Sequence, residues 1–166
     1  MALSKRNNTI ELMCVQLVEW FKELAGFTDE QFLDYMNKNN VWDILNDDNL
    51  ILGCISAEEE DIITLFGGYL SKDERLNIIS QYSTETTDDY NKIELKNMQS
   101  EFVIKFIMED NKCSRAEAAK IWYNSKTKHE LHDGAIDYTF VSPARCYDEL
   151  LMELSNDPHW MKGQFE

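Results

Sequence analysis

The segment that comes closest to a catalytic or metal-binding motif is His129-Glu130-Leu131-His132-Asp133. Zinc hydrolases of the H-E-x-x-H type need two histidines four residues apart on one helix face, with a glutamate directly after the first. Here the second histidine comes one residue early, Asp133 stands in its place, and Gly134 follows. We therefore interpret the segment as a solvated helix end, and we predict no catalytic residue, no metal ligand and no cofactor.

Carboxylates are densest in the run Glu58-Glu59-Glu60-Asp61. Acidic side chains in the first turn of a helix interact favourably with the helix dipole, which is a sufficient structural explanation. The same run would also attract a basic partner. Both interpretations remain open, and we take these four residues as candidate interface residues.

Aromatic and amide side chains supply a second set of interface candidates, in the second half of the chain: Tyr123, Asn124, Tyr138 and Tyr147. Such residues lie at the edge of a core more often than they line an interface. Trp160, near the end of the chain, either folds back onto the core or anchors a partner, since tryptophan is a frequent interface anchor.

The net charge is −15, from 31 acidic and 16 basic residues. A surface this negative repels the phosphate backbone and anionic lipids, so we expect no direct binding to nucleic acid or membrane. A protein with a basic surface is the natural complement. The alternative is that the acidity serves solubility alone.

A cytoplasmic location is the expectation from three further features. The N-terminal residues 1–8 lack the apolar stretch of a signal peptide. No apolar run approaches the roughly 20 residues of a membrane span. The four cysteines are widely separated and lie in apolar runs, which is typical of buried free thiols in a reducing compartment.

The elements that must position these residues are mostly amphipathic helices. Most of their starts are marked by a hydroxyl side chain followed by acidic or amide residues, a capping pattern seen at Thr28, Ser56, Ser71 and Ser114. Ser142 is a capping hydroxyl before Pro143, a residue favoured at the first helical position. Two short apolar or alternating runs, 50–55 and 136–141, favour strands. The predicted fold class is mainly α with a small β component (α+β).

One offset of 86 residues places Thr28 on Ser114 and Ser56 on Ser142 without a gap. We interpret this as a diverged internal repeat of two helix-helix-strand-helix units, although two unrelated helical segments would also fit. The predicted organisation is a first unit at 1–82, a polar linker at 83–92 and a second unit at 93–166. We expect the two strands to pair and the units to pack as one domain around a shared core.

The second half also resembles a known family. The run from Trp122 to Thr127, the pair Ser142-Pro143 and the run from Tyr147 to Leu151 are similar to the bacterial domain-of-unknown-function 3791 family over residues 98–154. That resemblance implies an accessory or interaction protein, in some cases encoded beside toxin-like enzymes. It implies no catalytic residues.

Together these features predict a non-enzymatic, acidic protein-binding module, inhibitor or antitoxin-like, that occludes a basic site on its partner. A first alternative is a nucleic-acid mimic of the phage anti-defence type, which would block a DNA- or RNA-binding enzyme. A second alternative is a small metal-dependent hydrolase. Self-association into a homodimer also remains open.

Overall fold

The computed structural model describes residues 9–54, 57–81, 90–134 and 136–155. Contacts within the chain divide it into two compact units, residues 1–87 and 88–166. Each unit is built from helices, and each is described by itself below.

The first unit is organised around its first helix. Helix α1 packs against α3, α4 and α5, while α2 packs against the 3-10 helix that follows it. The helices are α1 (Ile10–Ala25), α2 (Asp29–Lys38), a 3-10 helix (Val41–Asn46), α3 (Asp48–Gly53), α4 (Glu59–Phe66), a 3-10 turn (Gly67–Tyr69) and α5 (Lys72–Gln81).

Local caps account for both ends of α1 and for the start of α2. The Thr9 side chain accepts a hydrogen bond from the Leu12 N–H (3.1 Å) at the start of α1, and Gly26 ends the helix in the left-handed region at φ 67°. Thr28 and Gln31 form a reciprocal capping box, with distances of 3.2 and 3.0 Å between side-chain oxygen and backbone nitrogen. The predicted cap at Thr28 is therefore confirmed.

The core of the first unit is aromatic. Phe21 of α1 stacks on Phe66 of α4, with 4.9 Å between the ring centroids, and both side chains are fully buried. Tyr35 of α2 donates its hydroxyl hydrogen to the Phe66 carbonyl oxygen. These contacts hold α1, α2 and α4 together at one point.

The second unit contains a long helix with three shorter ones around it. Helix α6 packs against α7 and α9, and α8 packs against both α7 and α9. The helices are α6 (Tyr90–Asn111), α7 (Arg115–Asn124), α8 (Lys126–Asp133) and α9 (Pro143–Leu154). Ser114 and Ser142 cap α7 and α9 as predicted. Helix α6 begins inside the predicted linker, at Tyr90.

Helix α8 has a cap supplied from another helix. The Glu153 carboxylate of α9 accepts hydrogen bonds from the backbone N–H groups of Lys126 (2.9 Å) and Thr127 (2.7 Å). It also accepts one from the Thr127 hydroxyl at 2.6 Å. The end of α9 is thereby fastened to the start of α8, where the helix dipole favours a negative charge.

The predicted β component is wrong, because no strand occurs in the described residues. The run 50–55 was assigned to a strand because it is short and apolar, a pattern that a short buried helix shares. Asp47 decides between them: its side chain accepts hydrogen bonds from the N–H groups of Asn49 and Leu50 and starts helix α3. Residue 55 lies outside the described part.

The second predicted strand, 136–141, is a loop in its described residues, and a buried side chain pairs with its backbone. The Gln99 amide of α6 donates hydrogen bonds to the carbonyl oxygens of Val141 (2.8 Å) and Tyr138 (3.1 Å). These oxygens therefore have a partner without a neighbouring strand. The alternation places Ile136, Tyr138 and Phe140 on one face, but Tyr138 is buried whereas Ile136 and Phe140 are 52% and 71% exposed. The pattern therefore predicted neither the secondary structure nor the burial.

The prediction of two helix-helix-strand-helix units is also wrong, because it required both strands. Each described unit does contain a long helix followed by a hydroxyl-capped helix, at Thr28 and Ser114. Ser56, another cap in the proposed repeat, lies outside the described residues. The residue that precedes α4 is Glu58, whose N–H donates to the Asp61 carboxylate at 3.1 Å.

Candidate interaction surface

The acidic run Glu58–Asp61 forms the start of helix α4. Glu58, Glu60 and Asp61 are exposed, and Glu59 is partly exposed. A hydrogen bond from its own backbone N–H lowers the pKa of Glu59. The four carboxyl groups lie within one helical turn.

Helix α3 lies immediately before this turn in the chain and is open to solvent on one side. Ile51 is fully buried, whereas Leu50 and Leu52 are 40% and 41% exposed. Between those leucines on the helix surface lies Gly53, where an added Cβ would meet no atom within 4 Å. The exposed side of α3 therefore carries two partly exposed leucines and an uncovered backbone.

The end of α3 lies close to the start of α4, because the Ala57 N–H donates to the Cys54 carbonyl oxygen at 3.1 Å. Burial raises the pKa of the Cys54 thiol, and the negative charge of Asp61 raises it further. The acidic run thus begins close to the end of α3, and we call residues 47–53 and 58–61 the α3–α4 surface.

Basic side chains are absent from this part of the sequence. Between Lys38 and Lys72 the chain contains seven acidic residues and no lysine, arginine or histidine. Asp47 and Asp48 at the start of α3 are exposed, like most of the α4 run. In the sequence, the leucines of the α3–α4 surface are therefore preceded and followed by carboxylates.

The tyrosine candidates of the second unit are largely inside it. Tyr123, Tyr138 and Tyr147 expose 4%, 7% and 8% of their surface. Asn124 is exposed, and its amide donates to the Lys120 carbonyl oxygen at 2.8 Å. Trp160 lies outside the described residues. In this structure the three tyrosines offer little area to a partner.

Burial of two of these tyrosines is accompanied by specific contacts. The Tyr147 hydroxyl donates to the Asp110 carboxylate at 2.6 Å. Burial, followed by this hydrogen bond and the charge of Asp110, raises the pKa of Tyr147 to about 12. Tyr123 carries the Lys128 ammonium 5.2 Å from its ring centroid. These are packing roles within the unit.

The histidine cluster separates into two different environments. His132 is buried, with its Nε2 2.9 Å from the Gln99 Oε1, whereas His129 is largely exposed. The Asp133 carboxylate lies 3.4 Å from the Lys128 ammonium and 3.6 Å from the His129 Nδ1. The Lys128 ammonium thus already lies close to Asp133, the residue at the position of the second histidine in the H-E-x-x-H motif.

Sequence reasoning did not identify Leu50 and Leu52 as surface residues, because it placed both in a buried strand. The signal that could have found them was Asp47, three residues before Leu50, since an aspartate at that place is typical of a helix N-cap. A one-turn helix buries one side of its residues and leaves the rest exposed.

No helix in the described ranges is both long and apolar enough to cross a membrane. No protein-family model, curated protein or solved structure matches the chain. The resemblance of residues 98–154 to the domain-of-unknown-function 3791 family therefore stays a prediction.

Proposed function

We propose that this protein is a non-enzymatic, acidic binding module that inhibits a partner protein by covering a basic site. The observation that carries the proposal is the net charge of −15 combined with a 33-residue stretch, 39–71, that has seven carboxylates and no cation. Exposed carboxylates at Glu58, Glu60 and Asp61 make part of that charge available to a partner.

Inhibition would be steric, since a bound module of this size blocks access to the site that it covers. Complementary charge would speed the encounter, and its effect would weaken as salt rises. Affinity itself would come from apolar contacts made at the centre of the interface.

The test begins with affinity capture from a lysate of the native host, with nuclease present and with washes at high salt. A basic protein that is retained stoichiometrically is then purified, and its activity is measured against increasing amounts of the acidic protein. We expect saturating inhibition at a one-to-one ratio.

Charge-neutralising variants make the test specific. The quadruple variant E58Q/E59Q/E60Q/D61N should slow association by about tenfold or more at low salt, as loss of steering charge does. The control variant E30Q/D34N/E109Q/E130Q removes the same charge from exposed positions elsewhere. Equal effects of both variants, or a captured protein whose activity is unchanged, would contradict the proposal.

A further inference from the structure

The α3–α4 surface combines exposed leucines with a long stretch of chain whose charged residues are all acidic. Other exposed leucines occur among the described residues: Leu76 and Leu95 each follow or precede a basic residue, and Leu151 and Leu154 lie in a shorter acidic stretch of α9. Leu50 and Leu52 lie within residues 39–71, the longest stretch of the sequence without a lysine, arginine or histidine. Asp47 and Asp48 precede them, and the α4 run follows in the sequence.

The chemistry of an occupant follows from this combination. Burying the exposed parts of two leucines requires apolar side chains on the partner, because area removed from water is the favourable term. Approaching the carboxylates on either side requires cations, since an anionic partner would be repelled. A second copy of this chain would bring its own seven acids to the same place and is disfavoured.

We propose that the α3–α4 surface binds a basic amphipathic helix of a protein partner, with apolar side chains over Leu50 and Leu52 and lysines or arginines facing the carboxylates of Asp48, Glu58 and Glu60. This inference rests on the proposed function, because it names the surface and the partner chemistry by which inhibition would begin.

The direct test uses a designed peptide of roughly 18 residues, about five helical turns, with leucines spaced along one face and lysines on the others. A second peptide has the same composition in an order that gives no apolar face. Binding to the full-length, ¹⁵N-labelled protein is followed by two-dimensional NMR and by calorimetry at two salt concentrations.

We expect the amphipathic peptide to bind at least tenfold more tightly than its permuted form. The largest chemical-shift changes should fall on residues 48–53 and 58–61. Changes centred on other helices, or equal binding of both peptides, would overturn the inference. Absence of binding by either peptide would do the same.

Substitutions at Gly53 test the surface without disturbing the core. The position has open space around its Cβ and no positive φ, so larger side chains fit. G53R places a cation on the open side of α3 and should weaken peptide binding by about tenfold. G53E, of comparable length and opposite charge, should keep or increase the affinity. Equal affinities of both variants would contradict the proposal.

The leucines are tested against leucines exposed to a similar degree. L50S/L52S should weaken binding by about tenfold, whereas L76S/L95S, at exposed leucines that each adjoin a basic residue, should leave it unchanged. Both variants are checked for helicity by circular dichroism. If L50S/L52S unfolds, the peptide affinities of G53R and G53E test the surface instead. Sedimentation of the peptide-free protein identifies the other possible occupant: self-association abolished by L50S/L52S would assign the surface to a second copy.

The two proposals can fail separately. If a captured basic protein is inhibited but its binding is unaffected by G53R and L50S/L52S, the function stands and the assigned surface is wrong. If the peptide binds as expected but no basic protein is inhibited, the surface stands and the inhibitory function is wrong.

Discussion

At the scale of single residues, Gln99 of α6 joins three elements of the second unit through its side-chain amide. Its amide nitrogen satisfies two carbonyl oxygens of the loop before α9, and its amide oxygen faces His132. The Tyr138 carbonyl oxygen also accepts from the Val141 N–H at 3.0 Å, whereas the Val141 carbonyl oxygen would lose the Gln99 donor. A buried carbonyl oxygen that loses its donor is costly, because it cannot recover water. One side chain thus performs the role that sequence reasoning had given to a second strand.

Replacing Gln99 with leucine should lower the free energy of unfolding by about 1–3 kcal/mol, since the Val141 carbonyl oxygen loses the Gln99 amide as its donor. Urea denaturation followed by circular dichroism measures the change. The control is Glu94→Leu, at an exposed position of the same helix, with an expected change below about 0.5 kcal/mol. Similar effects of both substitutions would show that the loop is not held by Gln99.

The buried thiol of Cys146 and the hydroxyl of Tyr147 predict a loss of stability at alkaline pH. Burial raises the pKa of Cys146 from 9.0 to about 12, and that of Tyr147 from 10.0 to about 12. Above pH 9 the unfolded chain therefore releases protons that the folded chain keeps. The free energy of unfolding is thus unaffected below pH 9 and falls between pH 9 and 12.

Denaturant titrations at pH 8, 9, 10 and 11 measure this dependence. Cys146→Ala should make the decline shallower, by up to about 1.4 kcal/mol per pH unit. Cys113→Ala is the control, because Cys113 is only partly buried and its pKa is raised less. A flat profile up to pH 11 in the wild-type protein would contradict the assignment.

At the scale of elements, the caps were the most predictable features. Thr28, Ser71, Ser114 and Ser142 each accept a hydrogen bond from the N–H three residues on, as the local pattern predicts. The two strand predictions were wrong. For the run 50–55 the sequence could not decide, because a six-residue apolar run fits a buried strand and a short helix equally well.

The candidate interface was predictable only where it depends on local sequence. The acidic run at 58–61 lies at a helix start, as expected for acids near a positive dipole end. Burial of Tyr138 depends on Gln99, 39 residues away in sequence. No local pattern contains such a contact.

The hydrogen bonds between the Glu153 carboxylate of α9 and the start of α8 can be tested by substitution. Glu153→Ala should lower the free energy of unfolding by about 1.5–3 kcal/mol, because three donors lose a charged acceptor. Glu153→Gln should cost less, since its amide oxygen can still accept. Thermal unfolding compares both with Glu109→Ala, at an exposed position of α6. An equal effect of Glu153→Ala and its control would show that the contact contributes little.

At the scale of the whole molecule, charge is the dominant property. With 31 acids and 16 bases, repulsion among carboxylates opposes the compact state. Ion pairs offset part of it, including Arg145–Glu149 at 2.7 Å within α9. The free protein therefore carries a stability cost from its own charge, which the cations of the proposed partner would relieve.

Raising the salt concentration should stabilise the free protein, because screening weakens this repulsion. Between about 20 and 300 mM sodium chloride we expect the free energy of unfolding to rise by about 1 kcal/mol, an effect on the scale of exposed charge interactions. Urea denaturation at both concentrations measures it. The E30Q/D34N/E109Q/E130Q variant should respond less; a fall in stability with salt would contradict the interpretation.

Because residues 39–71 include no lysine, arginine or histidine, reagents that require a basic side chain cannot label or cleave the α3–α4 surface. Trypsin has no cleavage site between Lys38 and Lys72, so the entire surface leaves a digest as one long peptide. Amine-reactive cross-linkers have no lysine there to attach to. A carbodiimide, in contrast, activates carboxylates and would join Glu58 or Glu60 directly to a lysine of a bound protein, marking both sides of the contact.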